Sequence, residues 1–381
     1  MSALPQNLLN SQQFIDLPAD CQQAVQSDDD IIAANAMLDA IEAQPLFSSH
    51  VQSRSLWLGQ ARRCAVRLEE RCPEQLEVRL LAAIARTAFA ARETSAGLAA
   101  AELALSRAVE TNDLDAQVAI LAGRLPFVAA NAPVDAARDV RMLESILAQL
   151  PPPFEESSLP AEIALAHIAW YGAAGQYGLM RKELAQLGRM QLPQDDALSF
   201  VAYASQVALA QLYLRSRQRT QAVMAMMEAA RLADAHGANA ELANLQALIA
   251  AIAMQAGDFD SAVAHARSAV DAAKASTCRH AQPDPWLGFP IDIGLVDSPA
   301  AAVQNLAEAV LSAQDLGDAT GFLMAATAMP AFYLADDRAL EALDALAEAT
   351  EVAHALEDPD VADTLRKIAE GLLGHLGILR Q

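Results

Sequence analysis

The side chains best suited to chemistry here are four cysteines and seven histidines, and neither set is spaced to perform it. Cys278 and His280 stand two apart and would supply two metal ligands, but zinc takes three or four and no third lies nearby. Cys21, Cys64 and Cys72 form no CxxC pair, so reduced thiols are expected rather than a metal site or disulfide framework. His50, His167, His236, His265, His354 and His375 are scattered, none with a sequence neighbour placed as nucleophile or orienting acid. Acidic pairs such as Glu155-Glu156, Asp195-Asp196 and Asp336-Asp337 fall at turns or helix starts, where solvation and the helix dipole explain them. No lysine follows a glycine, which excludes a Walker phosphate loop, and GxSxG, HExxH and GxGxxG are absent. The reading is therefore of a protein with no catalytic residues, no cofactor and no metal.

Charge narrows the partners. A formal net charge of -22, from 48 acids against 26 bases, argues against a nucleic-acid grip, which needs clustered cations. The charge is uneven. Residues 54–92 hold eight arginines against four glutamates, a local net of +4, whereas residues 292–381 hold 16 acids against four bases, a local net of -12. Arg62, Arg63, Arg67 and Arg71 form a candidate basic face, either solvated or docked on an acidic partner or the acidic end of another copy. No stretch is apolar enough for a membrane span, and Met1 to Asn10 lack a basic start and apolar run, so a cytoplasmic protein is expected. Arginine's dominance over lysine, with much alanine, suggests bacterial coding bias.

The elements that would position any site repeat about every 40 residues. Turn residues Arg92, Asn131, Gly175, Arg217, Gly257, Asp297 and Asp337 follow one another at spacings of 39, 44, 42, 40, 40 and 40. Five residues beyond these anchors stand Gly97, Ala136, Met180, Ala222, Ala262, Ala302 and Ala342. Nine and twelve beyond stand further apolar residues, such as Ala101, Leu184 and Leu346, or Ala104, Leu143 and Ala349. Offsets of 5, 9 and 12 share one helix face, where small residues let two helices approach closely.

Gly257, Phe259, Ala262, Ala266 and Ala269, preceded by Ile249 and Ala250, resemble the small-aromatic-small pattern of a tetratricopeptide repeat, and Gly175 with Tyr177 is similar. The long period more closely resembles the variant in sensor regions of MalT-like bacterial regulators. The resemblance spans about residues 74–360 and implies an all-α, right-handed solenoid of helix hairpins, with about seven repeats plus caps. The family's first helices line a concave surface, which here would present Gln211, Arg215, Asn244, Met254 and Gln255, a mixture suited to an extended peptide or simply to solvent. The family's carboxylate-clamp lysines are missing from these helices.

The chain divides into an irregular arm over 1–27, a capping hairpin over 28–73, repeats over 74–277, a Pro-rich aromatic loop over 278–299, and C-terminal repeats with a capping helix over 300–381. Asp28-Asp29-Asp30 opens the first helix and Pro45 ends it. Pro151-Pro152-Pro153 reads as a longer connection or a joint in the superhelix. Around Pro283, Pro285 and Pro290 the expected first helix of the Asp297 repeat cannot form. Trp286, Phe289, Ile291 and Ile293 would then plug the missing helix's flank, or else gate the groove. Pro126 and Pro330 each kink or end a helix. Leu365, Ile368, Leu372, Leu376 and Leu379 form a stripe suited to a terminal cap or a homodimer face. The functional expectation is a scaffold or adaptor binding a protein or peptide in the groove; the alternatives are a peptide- or small-ligand-sensing regulator and an all-helical enzyme.

Overall fold

A computed structural model describes residues 22–23, 29–150, 159–190, 198–276, 293–294 and 296–378. Among these, the architecture is an all-α solenoid of successive helix pairs. The sixteen α-helices are α1 (Asp30–Ala43), α2 (Val51–Leu68), α3 (Glu74–Ala90), α4 (Thr94–Glu110), α5 (Leu114–Asn131), α6 (Pro133–Leu147), α7 (Leu159–Ala173) and α8 (Tyr177–Leu187). They continue as α9 (Ser199–Arg215), α10 (Arg219–Ala235), α11 (Asn239–Ala256), α12 (Phe259–Ala275), α13 (Pro299–Asp315), α14 (Ala319–Ala335), α15 (Ala339–Ala355) and α16 (Pro359–His375).

The period has a local cause. Left-handed residues fall at Arg217, Gly237 and Gly257, then at Gly317, Asp337, Glu357 and Gly377, steps of 20 residues. Each such residue ends a helix by the same reversal: the Gly257 amide donates to the Met254 carbonyl and the Asp258 amide to the Ala253 carbonyl, both at 3.0 Å. That is the Schellman closure, which satisfies carbonyls the helix leaves unpaired and favours glycine. A helix of about 17 residues plus such a turn makes 20, and two make the repeat. Of the seven sequence anchors, Arg92, Gly175, Arg217, Gly257 and Asp337 occupy left-handed turns. Asn131 does not, because α5 runs through it and only Ala132 separates α5 from α6. Asp297 does not either, since it leads into Ser298, the extended N-cap of α13.

The residues 5, 9 and 12 beyond the anchors are all buried. Gly97 shows why size matters there: a Cβ would lie 2.5 Å from the Phe89 ring, which is itself stacked on Phe127 at 3.9 Å between centroids. Asp29 caps α1, accepting from the Ile31 and Ile32 amides at 2.9 and 3.3 Å, and the helix stops two residues short of Pro45. Pro126 and Pro330 do not end their helices, since α5 and α14 each continue five residues beyond. Of the expected stripe, Leu365, Ile368 and Leu372 on α16 are buried within the chain and Leu376 is half-buried, while Leu379 lies outside the described residues.

After α12 ends at Ala275, the next described helix is α13, which starts at Pro299. Trp286 and Phe289, like the proline segment 151–158, lie outside the described residues. Ile293 is inside them and fully buried: its amide donates to Asn244 Oδ1 on α11 at 3.2 Å and its carbonyl accepts from Asn305 on α13 at 2.6 Å. The helix that packs on both α11 and α12 is α14, flanked by α13 and α15. Its N-cap and middle meet the C-terminal ends of earlier helices: Asp318 pairs with Arg215 at 3.0 Å, and Thr327 accepts from Gln255 at 3.0 Å. Beyond it α16 reaches back, with Gly371 and His375 against Phe259.

Gly59→Ala is expected to be stabilising and Gly97→Ala neutral to destabilising. Alanine in a helix gains about 1 kcal/mol over glycine. At Gly59 nothing lies within 4 Å, so that gain stands. At Gly97 overpacking against Phe89 costs about 1–3 kcal/mol and cancels or exceeds it. Urea unfolding midpoints of the two variants measure the difference.

Candidate functional site

The most specific contact in the interior is made by the loop between α1 and α2. Pro45 cannot continue a helix, and the residues after it, Leu46 and Phe47, are apolar in a connection that would otherwise face water. The loop resolves this by crossing to the middle repeats. Phe47 is fully buried, edge-on to Phe200 at 5.2 Å and Tyr203 at 5.3 Å on α9, and stacked with His236 at 4.9 Å. Ser48 follows with two hydrogen bonds to one carboxylate: its amide donates to Glu241 Oε1 at 3.0 Å and its hydroxyl to Oε2 at 2.5 Å. Glu241 lies in the first turn of α11, where the helix dipole favours a carboxylate, and is itself buried. The loop's start is held by Arg54 on α2, whose Nη2 donates to the carbonyls of Gln44 and, at 3.1 Å, Pro45. An aromatic side chain in an aromatic box, an adjacent amide and hydroxyl on a carboxylate, and clamped carbonyls are the parts of extended-peptide recognition, here made within one chain.

A polar cluster lies beside it. Arg54 is fully buried, whereas Arg86 on α3 pairs with Glu162 on α7 at 3.1 Å and both keep 20% of their side-chain exposure. Burial, and then repulsion from Arg86, depress the Arg54 guanidinium to about 9 against the pull of Glu162. It remains charged at neutral pH. Glu162 holds Arg86 above the ordinary arginine range.

The groove residues expected from sequence meet this chain's own elements. Gln211 is buried, within contact range of a Cβ at Gly172. Arg215 pairs with Asp318 and lies over the Tyr177 ring at 5.5 Å. Asn244 binds Ile293, and Gln255 binds Thr327. Met254 is fully buried and so faces no groove in this arrangement. The Arg215–Asp318, Gln255–Thr327 and Asn244–Ile293 contacts come from α14, its N-cap and residue 293, whereas Gln211 meets α7 and Arg215 meets the Tyr177 ring on α8.

The arginine-rich segment splits in two. Arg62, Arg63, Arg67 and Arg71 are exposed on α2 and the turn after it, with exposed Val66 among them; Arg67 pairs with Asp30 and lowers its carboxyl below the usual range. Arg79 instead ties α3 to Asn35, Asp39 and Glu42 of α1, while Arg54, Arg86 and Arg92 point inward. Charge counting did not separate the two groups. Helical phase does part of it, since Arg79 and Arg86 lie two turns apart on α3.

Among the described residues no group of three or more His, Cys, Asp or Glu is placed to hold a metal ion, and no helix is long and apolar enough to cross a membrane. Cys64 and Cys72 are free, their thiols pushed up chiefly by burial; Cys21, Cys278 and His280 lie outside the described residues. No family model matches the chain, and no curated protein matches it.

Phe47→Ala removes a buried aromatic ring, a change worth about 3–5 kcal/mol. Glu241→Ala, leaving the Ser48 donors without an acceptor, is worth about 1–3 kcal/mol. Hydrogen exchange is expected to show the Ser48 amide deprotected in both variants, with α3–α6 amides unchanged.

Proposed function

We propose that this chain is a non-catalytic scaffold of tetratricopeptide-like repeats that holds an extended segment of a partner protein on the inner face of α9–α11. The observation carrying this reading is the docked 44–50 loop, in which that face accepts an aromatic residue and the hydroxyl and amide of the residue after it. The loop is then an internal occupant. Tethering gives it a high effective concentration, so a partner must offer a better segment or the loop must be released first. The exposed Arg62, Arg63 and Arg71, which form no ion pair among the described residues, offer an acidic partner a second contact outside the groove.

A labelled peptide with the sequence of residues 43–51 tests the proposal. It is expected to bind Phe47→Ala in trans with a Kd of about 1 mM or tighter, and not to bind wild type, whose own loop fills the site. The same peptide with alanine for its phenylalanine is expected not to bind. Fluorescence anisotropy reads all three. Indifference of the Phe47→Ala protein to the intact peptide would remove the reading, and Ser48→Asp, which sets a second carboxylate against Glu241, opens the site independently should the alanine variant misfold.

A further inference from the structure

The polar cluster beside the loop is unbalanced in a way its neighbours do not correct. Among the described residues Arg54, 0% exposed, makes hydrogen bonds only through Nη2, and its Nε and Nη1 have no acceptor. Arg86 Nε has none, nor has Trp57 Nε1, one turn along α2 from Arg54 and so on the same side of the helix. All four groups are donors. Among the described residues the charges acting on Arg54 are Arg86 and Glu162, so two guanidinium groups face one carboxylate there. Glu42 also acts on Arg86, but it is already held by Arg79 at 2.9 Å, as is Asp39 at 2.6 Å. A buried guanidinium is costly unless paired and fully hydrogen-bonded. Water at the spot would accept these donors without supplying the missing charge.

We propose that Arg54 and Arg86 form an anion subsite that takes one carboxylate, bound in the forked geometry guanidinium groups favour. One carboxylate supplies up to four acceptor positions and one negative charge, matching both deficits at once. Entry is from the Arg86–Glu162 edge, where each side chain keeps 20% exposure. Because Arg54 also clamps the carbonyls of residues 44 and 45, an acid bound there would stiffen the base of the loop. This subsite is separate from the Phe47 pocket and stands or falls without it. The carboxylate comes either from a free small acid or from an acidic side chain of a partner, and the chemistry at the two guanidinium groups is the same.

The test is thermal unfolding of the full chain with sodium malonate against sodium chloride of matched ionic strength. An increase in Tm of about 2 °C or more at roughly 20 mM malonate is expected, with most of it lost in Arg86→Gln and all of it in Arg54→Met. A blocked Ala-Glu-Ala peptide and its Gln counterpart form the second arm. Stabilisation by malonate alone assigns the site to a free acid, and stabilisation by the Glu peptide but not the Gln peptide extends it to partner side chains. No response to either probe, or equal responses in wild type and both variants, overturns the proposal. Should the variants fail to fold, calorimetric titration of wild type with malonate decides: one saturable site supports the subsite, and no heat beyond the chloride control sinks it.

Discussion

Each helix pair in a repeat array is apolar on two sides and needs a neighbour on both, and this nearest-neighbour demand governs the molecule. Between α12 and α13 the described residues supply no helix, and the demand does not vanish. It is met from further along: α14 packs on α11 and α12 together, and Ile293 is pinned between Asn244 and Asn305. Arg215, Tyr177 and Asp318 then form one partly buried ion-pair and cation–π contact joining α9, the start of α8 and the N-cap of α14. These contacts therefore bring distant elements together at the flank of α11.

The same demand explains why the interior is occupied. An open superhelix would offer the inner faces of α9 and α11 to solvent, with Phe200 and Tyr203 among the exposed groups. Here the 44–50 loop covers them from the N-terminal side, and α14 covers the C-terminal ends from the other. The central two hairpins are thus clasped by both ends of the chain. On the proposed reading, the recognition surface is satisfied at rest, and binding would be an exchange of one occupant for another, with only the difference in affinity available.

Helix positions were legible because they are local. The turn signals, the 40-residue period and the buried faces 5, 9 and 12 residues past each anchor all follow from short-range backbone chemistry and helical phase, and Gly97 against Phe89 gives the size rule a physical reason. The failures are equally specific. Asn131 and Asp297 matched the period without making the turn, because spacing constrains position and not backbone sign. Gln211, Arg215, Asn244, Met254 and Gln255 sit on the expected helix, yet sequence gave no means of seeing that α14 would land there. Phe47, Ser48 and Glu241 went unremarked, although a Pro-Leu-Phe run in a short inter-helix connection is the kind of apolar loop that must find cover. Arg54 and Arg86 disappeared into a charge count, since a tally treats a buried guanidinium and a solvated one alike.

The bond between Ser48 and Glu241 spans 193 residues in a fold whose other contacts are mostly between consecutive helices. Such a separation has a cost in time as well as in entropy. During synthesis at about 5–20 residues per second, Ser48 is made roughly 10–40 s before Glu241. For that interval Phe47 has no pocket, and the first hairpin folds around an apolar loop with nowhere to go. The contact that closes the finished protein leaves an apolar side chain uncovered for that whole interval while the protein is being built.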